Sequence, residues 1–115
     1  MKHRSLIAIK QVKELLSEKE RWTKNYSARN ADGEFVEPYK KEIAVCWCLS
    51  GAIERVAFEL DTSYISVRNP IDTTRKQHFP GFIGIIDFND SPETEHSDVL
   101  LLLDLTIDRL ERLAA

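Results

Sequence analysis

Apolar residues recur with helical spacing in three parts of this chain. In residues 44–59, AVCWCLSGAIERVAFE, the positions Val45, Leu49, Ile53, Val56 and, one step on, Leu60 fall on one side of a wheel turning about 100° per residue. The opposite side carries Ala44, Cys48, Gly51 and Ala52, which are small rather than polar, with Trp47 between the two. The pattern predicts a central helix that buries one broad face. Its small face allows a backbone or a ligand to come close. In residues 5–20, Ile9, Val12 and Leu16 form a second helical stripe among lysines. In residues 93–113, Val99, Leu103, Thr106 and Leu110 form a third, with Asp104, Asp108 and Glu111 on the wet side.

Between these helices the pattern shortens. Tyr26, Ala28, Phe35 and Val36 flank Asn30-Ala31-Asp32-Gly33, which predicts a β-hairpin with Gly33 at positive φ. Residues 82–88, FIGIIDF, have the length and β-branched content of a buried strand, and would supply the hairpin with a third. Residues 69–81, NPIDTTRKQHFPG, bracketed by Pro70 and Pro80, read as a loop. The expected fold is a single α+β domain over residues 1–115, with three helices and a small antiparallel sheet made of the hairpin plus one strand. A chain of 115 residues can build such a core without a metal or disulfide staple.

Charge changes this picture in one respect. The net charge is −3, yet residues 1–29 hold 8 Lys/Arg against 3 Asp/Glu, while residues 87–115 hold 2 against 8. Two terminal helices lying side by side would account for that split, since charge runs are ordinarily solvated faces. A basic surface for nucleic acid would instead draw on Lys2, Arg4, Lys10, Lys13, Lys24 and Arg29, with Tyr26 for stacking; a pI near 5.6 counts against it. LIAI near the start is too short for a signal-peptide core and no long apolar span follows, so a cytoplasmic protein without a membrane segment is expected.

Candidate chemistry is sparse. Cys46 and Cys48 lie two apart, and on a helix they point about 200° from each other, too divergent to pair or to share a metal. A metal could draw on Cys48, His78, His96 and Asp90, but no C-x-x-C or H-x-x-x-H pair seeds such a site, so none is assigned. No Gly-rich phosphate loop is present, and no cofactor is implied. His96 aligns with Val99, Leu103 and Leu110 and so points inward at a helix start, where a neutral imidazole is favoured. A neutral His beside a thiol is the outline of an activated nucleophile, with Cys48 as the thiol and Asn89 or Asp90 as the orienting group. Each has a plainer role: Cys48 as core packing, His96 bonded to a carbonyl, Asn89 and Asp90 as turn residues.

Trp22, Ala28, Asp32-Gly33, Ala44, Trp47-Cys48, Gly51-Ala52, Phe88-Asn89-Asp90, His96 and Val99 with its leucine run together resemble a family of short bacterial and phage proteins known as a domain of unknown function. The resemblance implies a bacterial or phage origin and no known activity. Its pattern has no cysteine at the place of Cys46, which leaves Cys48 as the thiol of interest. The function expected is a non-enzymatic binding or regulatory module for a small molecule or protein, with the small face Ala44, Cys48, Gly51 and Ala52 beside Trp47 as the binding candidate. The alternative is a thiol-dependent hydrolase or transferase using Cys48 and His96.

Overall fold

The computed structural model describes the backbone of residues 2–114 and the side chains of residues 4–114. Helix α1 spans Lys2–Leu15 and is followed by a single 3-10 turn at Lys19–Arg21. Strands β1 (Ala28–Arg29) and β2 (Cys46–Trp47) come next, then helices α2 (Leu49–Glu59), α3 (Tyr64–His78), α4 (Ile85–Asp90) and α5 (His96–Ala114). Helix α1 packs on α5, α2 and α3, and α3 also packs on α5. Their shared core holds Ile9, Val12 and Leu16 of α1, Leu49, Ile53 and Val56 of α2, Val67 and Ile71 of α3, and Val99, Leu102, Leu103 and Leu110 of α5.

The α+β class holds, but three helices is wrong: among the described residues there are five α-helices, four of them longer than two turns. The largest error is at residues 69–81, most of which belong to α3 rather than to a loop. Pro70 sits inside that helix and cannot donate to the carbonyl of Ser66 four residues back. That carbonyl instead accepts the Ser5 hydroxyl from α1 at 3.2 Å. Thr73 and Thr74 hydroxyls bond back to the carbonyls of Asn69 and Pro70, and the helix continues. Its inner face is hard to recognise because it is not all apolar. Arg75 is almost wholly buried, with Nε 2.9 Å from Asp72 Oδ1 and Nη1 on the carbonyls of Phe79 and Phe82. The guanidinium thereby ties down the chain leaving α3, where Phe79 and Phe82 pack on Phe88.

Residues 82–88 are not a strand. Helix α4 begins at Ile85, and Ile85 and Phe88, three apart, point into the core while Ile86 is exposed. Asp87 reaches back to accept the N–H of Ile83 at 3.0 Å, an N-terminal stop that favours the helix. In so short an apolar run the two periods are indistinguishable. The partner of β1 is β2, antiparallel, with Ala28 opposite Trp47 and Arg29 opposite Cys46. The turn at residues 30–34 does form. Gly33 has φ 81°, Asn30 N–H donates to the Glu34 carbonyl, and Arg29 bridges Phe35 in antiparallel fashion.

Because β2 takes Cys46 and Trp47, the central helix starts at Leu49 rather than Ala44, and Val45 is exposed instead of lining the core. Helix α2 ends in a Schellman turn: Thr62 N–H donates to the Ala57 carbonyl and Asp61, at φ 51°, donates to that of Phe58. The expected pairing of the terminal helices is present. Lys10 meets Glu111 at 3.2 Å, and Lys13 meets Asp104.

Candidate functional site

The chemically interesting residues converge at the start of α2. Asn89, the fifth residue of α4, has no exposed surface. Its Oδ1 accepts the indole N–H of Trp22 at 2.7 Å and the backbone N–H of Leu49 at 3.0 Å. Its Nδ2 donates to the Thr23 carbonyl at 3.1 Å and to Asp90 Oδ1 at 2.9 Å. All four capacities of the amide are used, so Asn89 joins three distant segments into one junction. Asp90 extends it by accepting the N–H of Asn25, whose φ is 72°. Lys24 lies over the Trp22 ring and donates to the Ser91 carbonyl.

Cys48 is the N-cap of α2. Its backbone is extended (φ −79°, ψ 174°), and Sγ accepts the N–H of Gly51 at 3.2 Å. This is the position where Ser, Thr, Asp or Asn is usual. The thiol is buried, and loss of hydration pushes its pKa up to about 11, with the Gly51 N–H opposing and the carboxylates of Asp90 and Glu54 reinforcing the rise. A thiolate is therefore disfavoured at Cys48 near neutral pH.

The small face is occupied by the chain itself. Ala44, Trp47, Cys48, Gly51 and Ala52 are all buried. An alanine Cβ at Gly51 would fall 1.8 Å from the Ser27 carbonyl oxygen. That same oxygen accepts the Cys48 N–H at 3.3 Å. Trp47 is fixed from the other side by its indole N–H on the Pro38 carbonyl and by Arg55 stacked 4.8 Å from its ring.

His96 opens α5, and its Nε2 lies 2.6 Å from the Leu16 carbonyl. A carbonyl only accepts, so Nε2 carries the proton. The ring lies 5.9 Å from that of Trp22. No hydrogen bond joins His96 to Cys48 among the described residues. Thus Asn89 and Asp90 are brought to the α2 N-terminus with Cys48, while His96 is held on the Leu16 carbonyl beside the Trp22 ring. Residues Lys19, Trp22, Thr94, Glu95, His96 and Ser97 line an open cleft of about 450 Å³. Trp22 is the member that sequence reasoning gave no site role, although its place just after a helix and in the family-like pattern marks it.

The basic residues that a nucleic-acid surface would need are dispersed. Lys10 and Lys13 pair with α5, Lys24 is held at Ser91, and Arg29 stacks 4.2 Å from the Tyr26 ring and donates to the Lys24 carbonyl. The side chain of Lys2 lies outside the described residues. Among the described residues no cluster of three or more His, Cys, Asp or Glu is placed to hold a metal ion, and no helix is long and apolar enough to cross a membrane. Compared with known proteins, residues 5–109 match a family of unknown function, DUF6197. No curated protein matches the chain, and no solved structure does.

Proposed function

Since the chain belongs to this family of unknown function (DUF6197), we propose, from its own geometry, that it is a non-enzymatic binding module whose ligand enters the cleft lined by Trp22 and His96. The observation that carries the reading is the engagement of Cys48: a buried thiol with its pKa raised to about 11, capping α2, is a structural group rather than a nucleophile. The cleft supports the binding half of the reading. It offers an aromatic wall from Trp22 and His96 and polar groups from Lys19, Thr94, Glu95 and Ser97, the mixture that small-molecule sites use. A cytoplasmic setting belongs to the same reading, and two free cysteines support it.

The test has two arms. A fragment library is screened by chemical-shift changes, with the Trp22 indole and the His96 and Ser97 amides as reporters. Binders are expected to move these signals together. In the second arm a thiol probe is expected to label Cys48 only as fast as the protein unfolds. A screen in which nothing moves the reporters refutes the cleft. Fast labelling of folded protein at neutral pH that disappears in His96→Ala refutes the non-enzymatic reading.

A further inference from the structure

A second cleft, of about 410 Å³, lies between the C-terminal ends of α3 and α5 and is lined by Thr74, Gln77, His78, Leu105, Asp108, Arg109, Arg112 and Leu113. Its basic character is not the residue of a general excess, since the chain is acidic overall. The decisive residue is Arg109. Five arginines are half-buried, and four of them have partners: Arg21 on the Glu14 carbonyl and Ser17, Arg29 on the Lys24 carbonyl, Arg55 on Glu59, and Arg68 on Asp72. Arg109 has neither a hydrogen bond nor an ion pair among the described residues. Its guanidinium holds donors in a fixed fork suited to two oxygens of one anion. The acidic residue in the cleft, Asp108, is already engaged by Arg112 Nη2 at 2.8 Å. The cleft thus holds two guanidinium groups and one carboxylate, which is paired with Arg112 alone, and its other wall carries Gln77 and His78.

From this arrangement we infer that the α3–α5 cleft binds a small phosphate monoester, with the phosphate on Arg109 and Arg112 and the organic group against Leu105 and Leu113. A bare phosphate fills little of the space, which lies in the range of small-molecule sites. The exposed edge of Leu113 gives an apolar group something to cover. Lys76, next to Gln77 on α3, is turned toward Asp72 at 3.7 Å, so the forked guanidinium donors set the preference.

The experiment titrates the protein with phenyl phosphate, benzoate and inorganic phosphate, reading amide signals of residues 74–78 and 105–113. Saturable binding of phenyl phosphate is expected with a Kd of about 1 mM or tighter, with both other probes weaker. Arg109→Gln should weaken phenyl phosphate at least about 10-fold, as losing a charge-assisted fork does. Lys41→Gln, an exposed change outside the cleft, should not. If Arg109→Gln does not fold, Gln77→Glu puts a carboxylate on the opposite wall and should abolish binding. The inference is overturned by no saturation with phenyl phosphate, by equal binding of benzoate or inorganic phosphate, or by unchanged affinity in the cleft variants.

Discussion

Gly51→Ala is expected to destabilise this protein, against the usual direction for a helical glycine. In a helix interior the change ordinarily gains up to about 1 kcal/mol from propensity. Here the new methyl would sit 1.8 Å from the Ser27 carbonyl oxygen, where contacts below 3.0 Å essentially never occur. The obstacle is backbone and cannot rotate away. Ser27 leads into β1, which is laddered to β2, so relieving the clash means parting that strand from α2 by more than 1 Å. Overpacking of this kind costs about 1–3 kcal/mol, and the Cys48 N–H to Ser27 bond, worth about 1 kcal/mol, is lost with it. After the propensity gain the net loss is about 1–3 kcal/mol. For a domain of this size each kcal/mol lowers Tm by about 4 °C, so a fall of about 4–12 °C is expected in thermal unfolding followed by circular dichroism. Urea unfolding should show a lower midpoint with the slope unchanged. A variant melting at or above the parent temperature would show that β1 yields freely, and the close approach would then carry no energetic weight.

Three further outcomes follow from the same structure. Cys48 keeps its proton to about pH 11 in the fold, against an ordinary value of 9.0, so stability should be fully present below pH 9 and fall by up to roughly 2–3 kcal/mol as pH rises from 9 to 11; Cys48→Ser should flatten that slope in urea titrations. Asn89→Ala should cost about 3–4 kcal/mol by stranding the Trp22 indole, the Leu49 N–H and the Thr23 carbonyl, and calorimetry showing a loss below about 1 kcal/mol would mean that water replaces the amide. Asp61→Gly should raise stability by about 0.5–1 kcal/mol, because Asp61 holds φ 51° at the end of α2 without a glycine's freedom; an unchanged or lower urea midpoint would contradict this.

How much of this was legible before the fold was known depended on whether the inner face of each segment was apolar. The stripes Ile9, Val12, Leu16 and Val99, Leu103, Thr106, Leu110 are all buried where a period of 3.6 places them. The split of charge between the chain's two ends reappears as the Lys10–Glu111 and Lys13–Asp104 pairs. Helix α3 was illegible because its buried positions include Asp72 and Arg75, and charged residues count as surface in any pattern. The start of α2 was illegible for another reason: Cys46 and Trp47 are extended only because Ala28 and Arg29 lie beside them, a tertiary effect that overrides local preference. Cys48, Asn89 and Asp90, singled out from the sequence, lie together at the start of α2, but the job of Asn89 there was not legible. Asparagine after a short apolar run reads as a turn residue, and only the fold reveals an amide with four partners.

The reach of Asn89 also bears on when the fold acquires its strength. Its bonds span 67 residues to Trp22 and 40 to Leu49. Closing loops of that length costs chain entropy before the contact returns anything, so such contacts tend to form late along the folding route. The α2–α3 connection, by contrast, closes locally through the Schellman turn and the Ser63 cap. The amide then behaves as a latch set after the helices have met: in stopped-flow measurements Asn89→Ala should leave the refolding rate nearly unchanged and put its effect into faster unfolding. What the junction governs is the lifetime of the folded molecule, and with it the time for which the Trp22 wall of the neighbouring cleft stays in place.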